Sequence, residues 1–188
     1  MRILILILLA LTAVAVDAQP ADVTAIQRRE ASNADARTLA VLERFSKALV
    51  DRYGGDPRLT MLAFRESEGQ ALVLRVEGAP EHVIWQNGRF TGTENRQLRP
   101  WASATLAATN AFSLSSVRAA PFRTWQGAWR AVPAQSTDFV THYEVGYDPA
   151  VGRVVVRAQV GSMSKPTLSI HAFDPATGSP VATPAAKR

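Results

Sequence analysis

The chain has 188 residues and a formal net charge of +5, from 21 basic and 16 acidic residues, and it contains no cysteine. Without cysteine, disulfide cross-links and thiolate chemistry are excluded. Most of the basic residues are arginines spread along the chain, with no dense basic run or recognised motif, so nucleic acid is not an expected partner.

The N-terminus has the pattern of an export signal. Arg2 precedes an apolar run from Ile3 to Val16, and the small residues Val16 and Ala18 flank Asp17. The run is too short for a membrane span, which needs about 20 apolar residues, but it suits a secretory signal peptide. We predict that residues 1–18 are cleaved, leaving a periplasmic or secreted protein without a membrane span. An uncleaved anchor is the alternative.

A helix followed by a strand meander is predicted for residues 19–92. The helical pattern runs from Ala21 to Tyr53, with Ser32 and Asp35 spaced as a capping box that starts the main helix after a separate helical piece. Gly54 ends this helix. Its apolar stripe, at spacings of three and four, consists of Leu39, Leu42, Phe45 and Leu49.

Two hairpins complete this first unit. Strands at Leu59–Arg65 and Ala71–Glu77 are separated by the polar residues 66–70. A further strand from His82 to Gln86 meets Asn87-Gly88, the strongest short hairpin signal, because both positions tolerate φ > 0.

Residues 93–178 are predicted to form a second unit, a helical segment followed by a three-stranded meander. The segment 91–100 is a polar connector, and Ala102–Arg118 has a helical pattern rich in alanine, serine and threonine. Pro121 breaks that helix or begins a new one. The last residues, 179–188, carry two prolines and few apolar groups, so we expect a disordered tail.

The segment from Phe139 to Val160 has the clearest hairpin pattern in the second unit. If Asp148 and Arg153 close its turn, counting outward pairs four residues with partners on one apolar face. These pairs are Tyr147 with Val154, Val145 with Val156, Tyr143 with Ala158 and Thr141 with Val160. The other face pairs Glu144 with Arg157, as an exposed ion pair, and His142 with Gln159.

A third strand, Thr167–Asp174, repeats the apolar alternation, with His171 on the side opposite Leu168 and Ile170. The fold class that follows is α+β, with two helix-plus-antiparallel-meander units behind a cleaved signal peptide.

The C-terminal third resembles PepSY-type domains through Tyr143-Glu-Val-Gly-Tyr-Asp-Pro149 and Phe173-Asp-Pro-Ala-Thr-Gly-Ser-Pro-Val181. Those domains are small exported modules of one helix on a strand meander, often ending in an Asp-x-x-x-Gly turn. The resemblance implies a non-catalytic envelope module associated with protease inhibition or with binding in the periplasm. A cystatin-like or nuclear-transport-factor-like fold suits the same element order.

The first candidate ligand site combines aromatic and arginine side chains. Tryptophan offers contact area and a hydrogen-bond donor, and arginine holds carboxylate or phosphate, so such a cluster can grip a peptide or a glycan. Residues at helical spacing are also typical of a core. The cluster consists of Phe122, Arg123, Trp125, Trp129 and Arg130.

The second candidate site lies on the hairpin. His142 and Glu144 share one strand face opposite Arg157, an arrangement that suits acid–base chemistry but is also common on sheet surfaces. His171 can join the first two residues at a metal only if the strands bring the three together. We assign no catalytic residue, metal or cofactor.

These features predict an exported, non-catalytic binding protein of the cell envelope. It would act as an inhibitor or immunity-type antagonist of another secreted or envelope protein, an acidic protein being one candidate. One alternative is a small periplasmic hydrolase or isomerase that uses His142 and Glu144. Another is a structural envelope protein that binds anionic polymer.

Overall fold

The computed structural model describes residues 20–75, 80–92, 108–163 and 168–182. The signal peptide predicted at 1–18 lies outside these ranges. The described residues form two α-helices, three short 3-10 turns and one eight-stranded antiparallel sheet. The helices are α1 (Pro20–Tyr53) and α2 (Ala119–Arg130); the strands are β1 (Arg58–Arg65), β2 (Glu68–Val73), β3 (Glu81–Gln86), β4 (Arg89–Gly92), β5 (Phe112–Ser113), β6 (Asp138–Asp148), β7 (Arg153–Ser162) and β8 (Leu168–Phe173).

The predicted α+β class is confirmed, and the two meanders belong to a single sheet. The strand order is β4-β3-β2-β1-β6-β7-β8, and the short β5 pairs with the start of β1. Antiparallel pairing of β1 with β6, from Met61 opposite Gly146 to Phe64 opposite Tyr143, joins the two halves. The chain therefore has two helix-plus-meander units that share one continuous sheet.

The predicted register of the β6–β7 hairpin is confirmed next to its turn. Asp148 pairs with Arg153, Tyr143 with Ala158 and Glu144 with Arg157. Farther out a β-bulge shifts the register, so Val140 rather than Thr141 lies opposite Val160. A bulge adds one residue to one strand, which counting from the turn does not anticipate.

Helix α1 is continuous, so the capping box predicted at Ser32 and Asp35 is wrong. The 34-residue helix passes through this point because its buried stripe extends toward the N-terminus, with polar Asp35 and Thr38 replacing apolar residues. The helix ends at Gly54 as predicted, where φ is +74° and the amide donates to the Val50 carbonyl. Buried positions spaced by three and four are Ala31, Asp35, Thr38, Leu42, Phe45 and Leu49.

Neither described helix is both long and apolar enough to cross a membrane.

Two other predicted segments differ from the structure. The first hairpin turns at Glu66 and Ser67, so β2 begins at Glu68, within the predicted loop. The helix predicted for 102–118 is wrong from Ala108 onward, where 3-10 turns flank β5; its earlier part lies outside the described residues. Pro180, in the predicted disordered tail, forms a bridge with Phe173.

Both helices pack on one face of the sheet, called here the first face, and the core lies between them. Tyr143 stands at its centre, fully buried, with ring centroids 5.2 Å from Phe64 and 5.0 Å from Phe122. Its hydroxyl accepts a hydrogen bond from Gln126 Nε2 of α2 at 2.7 Å, so the buried phenol is satisfied. The opposite, second face carries a small buried cluster of Met61, Ala63 and Leu72.

Gly69 of β2 is required for the packing of α1, because a Cβ at this position would overlap the ring of Phe45. We expect Gly69→Ala to displace Phe45 and to lower the free energy of unfolding by about 1–3 kcal/mol, as overpacking of a core does. Chemical denaturation of the purified protein measures this change.

Gly127→Ala is the matched control, since a Cβ at this helical position of α2 meets no atom within 4 Å. Alanine is favoured over glycine in a helix by about 1 kcal/mol, so this variant should be as stable as the wild type or more stable. Equal stability of the two variants would contradict the packing role of Gly69.

Candidate functional site

The residues of the predicted acid–base site lie together on the second face. Arg157 of β7 donates from Nη1 to Glu144 Oε1 at 3.0 Å and from Nη2 to Asp148 Oδ2 at 2.9 Å. The side chains of Glu144 and Asp148 are only 13% and 6% exposed. The pair predicted to be an exposed surface pair is therefore a largely buried trio in which one guanidinium serves two carboxylates.

Asp148 was not among the predicted site residues, although its position points to the trio. It lies on β6 four residues after Glu144, and strand side chains alternate, so both project from the second face. His142 faces Gln159 in the next row of the same hairpin. The trio thus ties the turn end of β6 to β7.

A second ion pair joins the two helices at a buried position beside β6. Arg130 of α2 pairs with Asp35 of α1 and also donates to the Ala31 carbonyl at 2.7 Å. The other carboxylate oxygen of Asp35 accepts the Val140 amide of β6 at 2.9 Å. Burial raises the pKa of Asp35 from 3.8 to about 6, although the Val140 amide and Arg130 act in the opposite direction.

The predicted aromatic and arginine cluster does not form one surface. Phe122 and Trp125 are buried in the core, where Trp125 stacks on Phe173 with ring centroids 5.0 Å apart. Of the two arginines, Arg123 pairs with Glu43 on the exposed side of α1 at 3.0 Å, whereas Arg130 reaches the buried Asp35. The cluster is a helix face in the core flanked by arginines that hold α2 against α1.

His171 lies on the first face, away from His142 and Glu144. Its ring centroid is 4.0 Å from that of Trp129, and burial lowers its pKa. Since the sheet separates His171 from the other two residues, the three cannot share a metal ion. Within the described ranges, no group of three His, Asp or Glu side chains is placed to hold a metal.

The end of the sheet carries an exposed apolar surface that the sequence did not indicate. Leu168 and Ile170 of β8 are 62% and 67% exposed. They share the second face with Phe139, whose ring lies beside Gly161, the residue opposite Leu168. Phe139, Leu168 and Ile170 are called the β8 patch below.

The orientation of β8 is determined by its residues on the first face. Phe173 is fully buried in the core opposite Val156, and His171 packs on the tryptophans of α2. Because side chains alternate along a strand, this anchoring turns Leu168 and Ile170 to the second face.

No protein family, curated protein or solved structure matches the chain.

The raised pKa of Asp35 predicts how stability depends on pH. The neutral acid is favoured in the fold, so its stabilising effect is complete below about pH 4 and is lost as the pH rises through about 6. At about 1.4 kcal/mol per pKa unit, the contribution is on the order of 3 kcal/mol.

Asp35→Asn isolates this effect, since asparagine retains an oxygen for the Val140 amide but does not ionise. We expect the variant to gain stability relative to the wild type between pH 4 and pH 7, measured by denaturant unfolding at each pH. A relative loss over the same range would show that the attraction of Arg130 exceeds the cost of burying the carboxylate.

Proposed function

We propose that this protein is an exported, non-catalytic component of the cell envelope that binds another secreted or envelope protein through the β8 patch. The exposure of Leu168 and Ile170 at the end of the sheet is the observation that carries this proposal. Large contiguous exposed apolar patches on a folded domain mark interaction surfaces, and Phe139 extends the patch that these two residues form.

The hydrogen bonds and ion pairs of the charged side chains support a binding function rather than catalytic turnover. Glu144 and Asp148 both accept hydrogen bonds from Arg157, and Asp35 is paired with Arg130 beneath the helices. These carboxylates stabilise contacts between elements of the fold, and Glu144 is itself one of the two candidate acid–base residues on the hairpin.

The net charge, the predicted export signal and the family resemblance together indicate what kind of partner the protein binds. A net charge of +5 favours an acidic partner, through long-range attraction during encounter. The export signal predicted at 1–18 supports an encounter in the periplasm or outside the cell. Together with the resemblance to PepSY-type domains, these features support an inhibitor or immunity-type antagonist.

Site-specific photocrosslinking in intact cells tests the proposal. A photoreactive amino acid at Ile170 should give an adduct with a different protein, because the partner covers this side chain. Val50 of α1, which is 40% exposed, is the matched control position and should give none. The adducts are identified by mass spectrometry.

Leu168→Lys, combined with the photoreactive residue at Ile170, should abolish the adduct, since it places a charge in the β8 patch. Three results would contradict the proposal: no adduct at Ile170, equal adducts at Ile170 and Val50, or an adduct composed of two copies of this chain.

A further inference from the structure

We propose that the partner binds by adding an extended strand, antiparallel to β8, along the edge formed by Leu168 and Ile170. This inference rests on the proposed function and specifies its mode of binding. It also specifies the partner segment, which is extended and places uncharged apolar side chains at alternate positions.

Hydrogen bonds at the C-terminal end of β8 show in which direction its amide and carbonyl groups point. The Val181 amide donates to the Ala172 carbonyl, and the Asp174 amide donates to the Ser179 carbonyl, both at 2.9 Å. These groups of Ala172 and Asp174 therefore point away from β7. Since both main-chain groups of a strand residue point to the same side and successive residues alternate, those of Ile170 and Leu168 also point away from β7.

The edge at Leu168 and Ile170 is open within the described residues. β8 ends the strand order of the sheet, and no described strand pairs with these two residues on that side. Each presents an amide donor and a carbonyl acceptor, and its side chain is also mostly exposed. A strand added here would gain main-chain hydrogen bonds and apolar contacts from the same residues.

The chain itself pairs a short antiparallel segment with this edge. Residues 179–181 pair with the neighbouring positions 172–174, through the bridge between Pro180 and Phe173. A partner strand at Leu168 and Ile170 would continue that ladder along the same edge.

The opposite edge of the sheet is built differently. β4 begins with the charged Arg89, and charge is a feature that protects an edge from pairing. Leu168–Phe173 contains no Asp, Glu, Lys or Arg. The contrast favours β8 as the edge used for binding.

The side chains of β8 define the pattern of the partner segment. In an antiparallel pair, residues opposite Leu168 and Ile170 project from the same face, so apolar side chains there bury the exposed Leu168 and Ile170. The alternate residues of the partner strand lie opposite Ser169 and His171, and these residues can be small and polar. A charge at the apolar positions would be buried without a partner.

An acetylated peptide of alternating threonine and valine serves as the probe, with the ¹⁵N-labelled full chain as receptor. On titration, the amide resonances of Leu168 and Ile170 should shift, and their hydrogen exchange should slow by about tenfold, as for newly bonded amides. Amides of α1 should not change. Absence of a response at Leu168 and Ile170 would refute strand addition.

N-methylation separates hydrogen bonding from apolar contact. A peptide methylated at the valine nitrogens loses the donors directed at β8 and should bind about tenfold more weakly. The same peptide methylated at the threonine nitrogens keeps those donors and should bind like the parent. Equal binding of both methylated peptides would overturn the proposal.

The corresponding protein variant is Ile170→Pro, which removes an outward amide without removing a bond to β7. It should weaken binding of the parent peptide by about tenfold, whereas Ile170→Val should leave binding nearly unchanged. Thermal unfolding establishes that each variant is folded, and the methylated peptides test the same bond in the unaltered chain. Undiminished binding by folded Ile170→Pro would also overturn the proposal.

Different experimental outcomes contradict the two proposals. If the Ile170 adduct forms in cells but the probe peptides show no strand pairing, the binding function stands and strand addition is wrong. If the peptides bind as expected but no adduct forms, the edge accepts a strand and the proposed function is wrong.

Discussion

The pairing of β1 with β6 is the constraint on which the rest of the fold depends. Each half of the chain supplies one meander, and this pairing makes the two meanders one surface, which α1 contacts through β1, β2 and β6. It places Phe64 beside Tyr143 at the centre of the core. Helix α1 packs on both strands of this junction, and β7 and β8 extend the sheet from β6.

Buried polar contacts then determine how the helices sit on that surface. Apolar packing tolerates small rotations of a helix, whereas Asp35 must meet both the Val140 amide and Arg130, and Gln126 must meet the Tyr143 hydroxyl. Burying these groups is costly unless all partners are present, so these contacts favour placements of α1 and α2 that satisfy all of them. The ion pair gives orientation at some expense of stability, which is consistent with a carboxyl whose pKa is raised.

Turn chemistry made the hairpins predictable, because a turn at Asp148 or at Asn87-Gly88 determines the pairing of residues near it. The same counting failed beyond the bulge. The continuity of α1 through Ser32 was not predicted, because Asp35 and Thr38 occupy stripe positions that are normally apolar. The partners of Asp35, which are the Val140 amide and Arg130, come from distant elements. The β8 patch was missed because Leu168 and Ile170 look like core residues until the anchoring of Phe173 is known.

The ring contacts around α2 have a practical consequence. Trp125 and Trp129 stack on each other, and both lie against His171 or Phe173 of the terminal strand. Indole emission depends on neighbouring rings and on polarity, so any displacement of that strand changes the signal of two native fluorophores. The fluorescence of these two tryptophans therefore reports on events at one end of the sheet without an added label.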